Sequence, residues 1–352
     1  MKQLLRKIAI AAVTAAVIAA GLIQDKQSRP VALTYENPVF EPVLADPSVI
    51  RAQDGFFYAY GTEDDWGDGQ GDRTVPVIQS KDLVHWKAIG NAFAEKPAWH
   101  GYGGVWAPDI SYFNGRYYLY YAMSAWGDSN PGIGVAVSDK PEGPFEDRGK
   151  LFDSADVGVA NSIDPMHYVE EDGKSYLIWG SFHGIYGIAL SADGLKTEGE
   201  PFPIAGPAFE AAYLIKRDGY YYFFGSRGSC CEGAASGYSV SVGRSSSLKG
   251  PYVDKEGSDL KVSDGTLLLT GHFESQKVAK PFTGPGHNAV IRDDAGTDWL
   301  VYHAVDKADP LLPNGATRRP LMIDPLVWKD GWPTVEALTP GAGSRPGPVW
   351  RK

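Results

Sequence analysis

Residues 109–121 read Asp109-Ile-Ser-Tyr-Phe-Asn-Gly-Arg-Tyr-Tyr-Leu-Tyr-Tyr, and this stretch decides the fold class. It consists of a short apolar run, an Asn-Gly dipeptide and a second run packed with aromatic residues. Such a pattern is the strongest short-range signal for a β-hairpin. The stretch therefore predicts two antiparallel strands joined by a tight turn, with an acidic side chain at the start of the first strand.

The same pattern occurs in four other places along the chain. The five polar residues that lead the copies are Asp46, Asp109, Asp164, Glu210 and His287. A looser strand-turn-strand signature follows the hairpins, so one repeat holds about four short strands. Repeats of this kind, without helical periodicity elsewhere, predict an all-β chain folded as a five-bladed β-propeller. A β-sandwich is the structural alternative, but it does not explain why one chemical type leads the repeats.

The two ends of the propeller are expected to meet in the last blade. Residues 319–335 contain a Lys329-Asp-Gly turn and are predicted to supply the outer strands of that blade. Residues 25–40 are expected to add a closing strand from the other end of the chain. The interpretation is a single catalytic domain over residues 25–352.

Residues 1–24 have the pattern of a secretory signal. Lys2, Arg6 and Lys7 are positive and precede an Ala-rich apolar stretch over 8–23. No clean small-x-small cleavage site stands near its end, so an uncleaved signal anchor remains the alternative to a signal peptide. The expected location is extracellular or periplasmic, without stable membrane contact once the signal is removed.

Composition narrows the class of partner. The formal net charge is −10, which argues against nucleic acid and against an anionic membrane surface. A neutral polymer is the better fit. The two cysteines, Cys230 and Cys231, are adjacent, and the sequence leaves open whether they form a vicinal disulfide or stay as free thiols.

The leading carboxylates suggest a type of chemistry. In a propeller the innermost strands begin around one mouth of the central channel, which would bring these side chains within roughly 5–10 Å of one another. Carboxylates that close raise each other's pKa. Paired carboxylates with different pKa values are the equipment of glycoside hydrolysis. Two other interpretations stay open: an Asp before Pro is often a turn residue, and clustered carboxylates can hold Ca²⁺.

The chain resembles glycoside hydrolase family 43, on the arabinanase side of that family. The resemblance runs from about residue 37 to 335, and its motifs are Ala45-Asp-Pro-Ser-Val49, Val105-Trp-Ala-Pro-Asp-Ile-Ser-Tyr112, Asn161-Ser-Ile-Asp-Pro165, Gly180-Ser-Phe182, Phe209-Glu-Ala-Ala-Tyr213, Cys230-Cys-Glu-Gly233 and Gly284-Pro-Gly-His-Asn288. Each motif is weak alone. Their order, spread over the blades, makes the resemblance specific.

The resemblance implies roles for the leading residues. Asp46 matches the general base that activates water, Glu210 the general acid, and Asp164 a carboxylate that orients the acid and sets its pKa. Family members invert the anomeric centre, so acid and base are expected about 6.5–9.5 Å apart. His287 matches a histidine near a metal ion, usually calcium, in the central channel. Contact through water is expected, because neutral imidazole is a poor ligand for Ca²⁺. No organic cofactor is implied.

Substrate contacts are implied with them. The positions that match the family's first subsites are Gly127, Asn161, Ile163, Ser181 and Phe182. Two further candidates are Trp106, which either stacks on a sugar face or packs in the core, and Asp109, for which a catalytic role is the alternative. Asp109 is expected to shape the floor of the pocket. Trp66, Trp99 and Trp126 lie in loops rich in Gly and Asp, where an aromatic side chain either stacks on sugar or anchors its loop. Ala212, and the segment from His183 onward, depart from the family pattern and leave linkage and chain-end preference open.

The resulting hypothesis is a secreted monomeric enzyme that hydrolyses α-1,5-linked L-arabinan by inversion. Its partner would be plant cell-wall arabinan or arabino-oligosaccharides, and endo cleavage is favoured by the resemblance alone. The first alternative is another family 43 activity: exo-arabinanase, α-L-arabinofuranosidase or β-xylosidase. The second is a propeller that binds carbohydrate without catalysis.

Overall fold

The structure is a computed structural model that describes residues 33–272 and 280–351. The predicted signal segment, 1–24, lies outside the described residues. Within those residues, no helix has both the length and the apolar character needed to cross a bilayer.

Nearly all regular structure in the described part of the chain is β-strand. In chain order the strands are β1 (Thr34–Tyr35), β2 (Ser48–Arg51), β3 (Phe57–Tyr60), β4 (Asp64–Asp65), β5 (Asp72–Arg73), β6 (Pro76–Ser80), β7 (Trp86–Asn91), β8 (Gly104–Phe113), β9 (Arg116–Ser124), β10 (Gly132–Ser138), β11 (Glu146–Asp153), β12 (Met166–Val169), β13 (Ser175–Trp179), β14 (Ile185–Leu190), β15 (Thr197–Ala205), β16 (Glu210–Arg217), β17 (Tyr220–Arg227), β18 (Ser239–Ser245), β19 (Thr266–Thr270), β20 (Phe282–Arg292), β21 (Asp298–Asp306), β22 (Leu321–Pro325), β23 (Val327–Lys329), β24 (Trp332–Thr334) and β25 (Arg345–Pro346). Short helical turns occur at Ser154–Val157, Gly233–Ala235 and Glu336–Leu338.

The hairpin predicted at 109–121 is present. Asn114 and Gly115 have φ of 50° and 78°, and they join β8 to β9 with Phe113 paired to Arg116. Positive φ at both central residues is the signature of a type I′ turn, whose twist matches that of the flanking strands. Asp218 and Gly219 join β16 to β17 in the same way, with φ of 50° and 82°.

The strands form five blades around one axis. The first four are the antiparallel sheets β2-β3-β6-β7, β8-β9-β10-β11, β12-β13-β14-β15 and β16-β17-β18-β19, and the fifth contains β20-β21-β22. The innermost strands touch in a closed ring, in the order β2, β8, β12, β16, β20 and back to β2. The prediction of a five-bladed propeller is therefore confirmed.

The N-terminal segment completes the fifth blade. Val39 N–H donates to the Leu321 carbonyl at 2.8 Å, and Leu321 N–H donates to the Phe40 carbonyl at 3.0 Å. The expected closing strand is reduced to an isolated bridge between Phe40 and Leu321, since β1 pairs with β25 instead, and 25–32 lie outside the described residues. The prediction for 319–335 was partly wrong. The position beside β22 is taken by Phe40, so β23 and β24 pair only with each other.

The aromatic runs fill the spaces between blades. Tyr121 of β9 packs edge-on against Phe93, with ring centroids 5.4 Å apart, and shares an apolar cluster with Tyr60 of the first blade. Phe223 of β17 shares another cluster with Ile178 of the third blade. These side chains are almost fully buried. The aromatic run of each repeat therefore packs against the neighbouring blade. The polar residues that lead the repeats are left to face the axis.

Candidate active site

Each innermost strand has a residue in the left-handed backbone region, either two positions before the strand, as in β2 and β12, or inside it, as in β8, β16 and β20. These residues are Asp46, Ala107, Asp164, Ala211 and His287, with φ between 46° and 58°. The conformation is strained for residues other than Gly, and such strain concentrates where a fold must aim a side chain. The five positions are equivalent around the axis. They put Asp46, Asp164 and His287 at the mouth of the channel.

Two of the predicted leaders are out of register with this set. Glu210 precedes the left-handed residue of its blade by one position and Asp109 follows Ala107 by two. β-bulges interrupt the register between Trp106 and Asp109 and between Glu210 and Tyr213. A bulge re-aims the side chains around it, and sequence spacing does not show it.

One large cavity opens at this mouth, with a volume of about 760 Å³. All five blades contribute to its wall, through Asp46, Trp106, Asp164, Glu210 and His287. The other predicted sugar-site residues in the wall are Gly127, Asn161, Ile163, Ser181 and Phe182. A cavity of this size is in the range that holds small ligands.

The structure corrects the placement of Asp109. Its side chain lies outside the main cavity, deeper in the channel, where it lines a second, small cavity. Ser48 Oγ donates to it at 3.0 Å and His167 N–H at 2.7 Å. Burial raises the pKa of Asp109 to about 7 despite these two hydrogen bonds. Asp109 stands two residues past the equivalent position, and it supports the channel without lining the main cavity.

Asp46 is held as a carboxylate. Arg319 Nη1 lies 3.0 Å from Oδ1, and Thr62 Oγ1 donates to Oδ2 at 2.6 Å. Burial alone would raise the pKa of Asp46, but the positive charge of Arg319 and the hydrogen bond from Thr62 outweigh it and hold the pKa well below its usual range. A carboxylate that stays ionised can accept a proton from water.

Two histidines, His287 and His303, flank Asp46, and burial disfavours the charged form of both rings. His303 Nδ1 accepts the Asp46 backbone N–H at 3.0 Å, so that nitrogen is unprotonated. His287 Nδ1 lies 3.4 Å from Asp46 Oδ1. Burial lowers the pKa of both rings, most strongly that of His303. Arg319 is therefore the main positive charge beside Asp46.

Glu210 is held in the opposite state. Burial raises its pKa to about 7, and the negative charge of Asp46 adds to this, although hydrogen bonds from Tyr238 and Ser181 act against it. Tyr238 Oη donates to Oε1 at 2.5 Å and Ser181 Oγ donates to Oε2 at 2.7 Å. A carboxyl group titrating near neutrality carries the proton that a general acid needs.

Asp164 belongs to the same electrostatic unit. Burial and the neighbouring charges of Glu210 and Asp46 raise its pKa well above the usual range. Asp164 Oδ2 accepts the Ala211 N–H at 3.2 Å, next to Glu210 in the chain. Asp164 and Glu210 therefore titrate as a coupled pair, and Asp164 influences the proton on Glu210.

The pH dependence follows from these states. We expect a bell-shaped profile of kcat/KM whose alkaline limb falls through about pH 7, as Glu210 loses its proton. Arg319→Met should move the acidic limb upward by about one pH unit or more, because the Asp46 carboxylate loses its positive neighbour and is protonated at higher pH. Arg318→Met is the matched control, since Arg318 pairs with Asp309 and lies outside the cavity wall. An acidic limb unmoved in Arg319→Met would contradict this role.

Aromatic side chains mark the rim of the cavity. Trp126 is 82% exposed, and its ring centroid lies 5.7 Å from that of Trp106. Both line the cavity. The other two tryptophans singled out in loops are anchors: Trp66 is buried in the core, and Trp99 Nε1 donates to Tyr121 Oη at 2.9 Å.

Several site residues carry a signal that the sequence prediction did not use. Thr62, Ser181 and Ser226 each follow a glycine that ends an aromatic run. Their hydroxyl groups contact the innermost strand of the next blade. Thr62 accepts the Ala107 N–H, Ser181 donates to Glu210, and Ser226 accepts the His287 N–H. His303 does the same for Asp46 across the ring closure. The Gly-Thr and Gly-Ser dipeptides were visible in the sequence, but their partners were not.

Cys230 and Cys231 form a disulfide, which settles the question left open by the sequence. Both residues are half-buried and both line the main cavity.

The channel below the site is where the sequence predicts a metal ion, near His287. Within 33–272 and 280–351, no three or more His, Cys, Asp and Glu residues are grouped so as to hold one directly. Asn288, which lines the small cavity beside Asp109 and His287, has both side-chain amide atoms buried and without a partner. Direct ligation by a cluster of these residue types therefore does not fit. Asn288 leaves a donor and an acceptor free for a water molecule, which is the contact expected beside an ion that is held through water.

Comparison with known proteins agrees with this geometry. A profile of Glycosyl hydrolases family 43 matches residues 35–333. The chain is 33% identical over 334 residues to an extracellular endo-α-(1→5)-L-arabinanase of Bacillus subtilis, covering 91% of this chain and 96% of the relative. It is 34% identical over 292 residues to an extracellular exo-α-(1→5)-L-arabinofuranosidase of Cellvibrio japonicus, covering 74% and 80%.

Among solved structures, the α-L-arabinanase of Cellvibrio cellulosa in complex with arabinohexaose superposes with a TM-score of 0.72 at 30% identity, covering 84% of this chain and 96% of the other. The endo-arabinanase of Bacillus licheniformis gives a TM-score of 0.68 at 33% identity, covering 84% and 98%. From this match across the propeller, with the carboxylates gathered in one cavity, the chain belongs to glycosyl hydrolase family 43.

Proposed function

We propose that this protein is an endo-acting hydrolase of α-1,5-linked L-arabinan that inverts the anomeric centre. The observation that carries the proposal is that two carboxyl groups in one cavity have pKa values shifted in opposite directions. Asp46 has a pKa well below the usual range, and Glu210 has a pKa raised to about 7. Groups pushed apart in this way serve as base and acid at the same pH.

The mechanism uses each group once. Asp46 takes a proton from a water molecule, and that water attacks the anomeric carbon of the bound sugar. Glu210 donates its proton to the departing oxygen, so no charged alkoxide has to leave. The hydrogen bonds from Tyr238 and Ser181 fix the orientation of the Glu210 carboxyl group, and Arg319 with Thr62 fixes that of Asp46.

The substrate class is supported by the wall of the cavity and by the relatives. Trp106, Trp126 and Phe182 offer aromatic surface to the apolar faces of sugar rings, and Asn161 adds an amide beside them. The Bacillus subtilis relative is named an endo-α-(1→5)-L-arabinanase and the Cellvibrio japonicus relative an exo-α-(1→5)-L-arabinofuranosidase. The Cellvibrio cellulosa enzyme is described in complex with arabinohexaose.

Early products of linear arabinan test the endo assignment. An endo-acting enzyme should release a ladder of arabino-oligosaccharides while the polymer shortens rapidly. An exo-acting enzyme, as the Cellvibrio japonicus relative is named, releases one short product while the polymer stays long. Chromatography of the first few per cent of conversion separates the two. No cleavage of arabinan, with cleavage of aryl xylosides, would favour another family 43 activity.

A calcium ion in the channel is part of the proposal, held through water beside His287 and Asn288 and outside the catalytic steps. When bound, the ion would supply positive charge beneath the carboxylates. We expect chelation to lower the melting temperature by a few degrees and to leave part of the activity, because only water-mediated contacts are lost. His287→Ala should melt lower and respond less to chelator. A melting temperature unchanged by chelator in the wild-type protein would contradict a resident ion.

We also propose that the protein is secreted and acts as a monomer. The first two relatives are named as extracellular enzymes, and the charged and apolar pattern of residues 1–24 supports export. The cavity draws its wall from all five blades of one chain, so the site needs no second copy.

A further inference from the structure

The cystine formed by Cys230 and Cys231 lies in the wall of the sugar-binding cavity. It has no role in the proposed catalytic mechanism. The connection from β17 to β18 contributes Gly228, Ser229, Cys230 and Cys231 to that wall. Both cysteines of the chain are in this bond. A covalent link between neighbouring residues closes almost no loop of chain, so it adds little to global stability by that route. Its position in the wall calls for a local explanation.

The segment after the cystine is tied down on two sides. Ser236 Oγ donates to the Cys230 carbonyl at 3.2 Å and accepts the Glu232 N–H at 2.9 Å. Gly233 N–H donates to Thr317 Oγ1 at 3.1 Å, on the facing loop of the fifth blade. Thr317 also lines the cavity. The cystine therefore sits at the joint between the fourth and fifth blades.

The opposite side of the cavity is aromatic. Trp106 and Trp126 come from the second blade, which is not adjacent to the fourth in the ring of inner strands. The cavity thus spans from an aromatic surface to a sulfur surface. Cysteine sulfur is apolar and polarizable, and it packs well against C–H groups. When the two sulfurs are joined, neither side chain can rotate into the cavity.

We propose that the Cys230–Cys231 cystine is a preformed contact surface for a sugar ring of the substrate, and that it sets affinity without taking part in the chemical step. The proposal rests on the proposed arabinan hydrolysis. A rigid wall needs no ordering when substrate binds, whereas two free thiols must give up rotamers. Loss of the link therefore weakens binding.

The general acid is insulated from this change. Tyr238, which donates to Glu210, is buried and stacks on His303, with ring centroids 5.7 Å apart. This stacking on the fifth blade holds the Tyr238 ring in place, although the backbone of its segment is tied to Cys230 through Ser236. Reduction should leave the alkaline limb of the pH profile in place, because the environment that sets the pKa of Glu210 is unchanged.

The test compares the oxidised protein with the same protein treated with a small dithiol. One thiolate of the reagent attacks a cystine sulfur, its second thiolate then releases the mixed disulfide, and the protein gains two hydrogens while the reagent becomes a cyclic disulfide. Intact mass confirms the reduction. We expect KM for arabinohexaose to rise about fivefold, with kcat changed less than about twofold and the alkaline limb unmoved.

The double variant Cys230→Ser/Cys231→Ser is the matched control. It should show the high KM without reductant and should not respond to reductant, because the chain has no other cysteine. If reduction is slow in the folded protein, the double variant with a normal melting curve gives the same comparison. Equal KM for the oxidised, reduced and serine forms would overturn the proposal, and so would a shift confined to kcat or to the pH profile.

Failure of the proposed function is distinguishable. In that case the oxidised protein does not cleave arabinan at all. Binding of arabinohexaose to Glu210→Gln, measured by calorimetry in oxidised and reduced forms, then still decides the role of the cystine. A Kd unchanged by reduction, or no binding in either form, would overturn it.

Discussion

Replacing Glu210 with Gln is expected to lower kcat on linear arabinan by about 10³-fold or more, while the protein stays folded and still binds the polymer. The amide keeps the size of the side chain and can still meet Tyr238 and Ser181, but it has no proton to give to the departing oxygen. General acid catalysis contributes about 10²- to 10⁴-fold, and arabinan has a poor leaving group that needs it. Initial rates of reducing-end release, with a melting curve, measure the effect.

The leaving group gives a sharper version of this test. An arabino-oligosaccharide with a dinitrophenyl leaving group departs without protonation, so Glu210→Gln should lose much less on that substrate. Glu170→Gln is the matched control, because Glu170 also accepts from a tyrosine hydroxyl, Tyr221 at 2.6 Å, yet lies away from the cavity. Full activity of Glu210→Gln on arabinan would remove Glu210 from the role of acid.

Replacing Asp46 with Asn is expected to lower kcat by a similar factor, about 10³-fold or more, on both kinds of substrate. The base is needed to activate water whichever group departs, so a good leaving group does not compensate for it. The amide also leaves the Arg319 charge without its anionic partner, 3.0 Å away in the wild-type protein, and some loss of stability should follow.

The variant Asp298→Asn separates the loss of catalysis from the loss of stability. Asp298 is a buried aspartate paired with Arg217 and Arg292, and it lies outside the cavity wall. Its replacement should lower the melting temperature and leave kcat near the wild-type value. Asp46→Asn with kcat close to that of Asp298→Asn would mean that Asp46 serves stability alone.

The architecture could be predicted because its determinants are local. Dipeptides such as Asn114-Gly115 dictate tight turns by themselves, and the aromatic runs alternate with them at a regular spacing. Five copies of this pattern then predict a ring of blades, and the lengths of the loops do not change that prediction. The closing contact joins Phe40 to Leu321, which is far away in the chain, so only the approximate position of the contact could be predicted and its partner could not.

The site could be predicted where the polar residue that leads a repeat occupies the same backbone position in each blade. Asp46 and Asp164 occupy the same left-handed position in their blades, and both reach the cavity. Asp109 lines the smaller cavity instead, because it stands two residues past the left-handed position of its blade, and spacing alone does not reveal the bulge between them. Arg319 was missed because its partner, Asp46, lies at the other end of the chain. No repeat or local pattern points to such a contact, and only closure of the ring creates it.

The anomer of the first product tests most directly whether Asp46 and Glu210 hold one sugar between them with room for water. Linear α-1,5-arabinan can be hydrolysed inside an NMR tube and the new reducing ends observed before they mutarotate. Attack by water opposite the leaving group predicts that β-arabinofuranose ends appear first. New ends that appear first as the α anomer would show a covalent intermediate and retention, and the assignment of Asp46 as a base acting through water would be wrong.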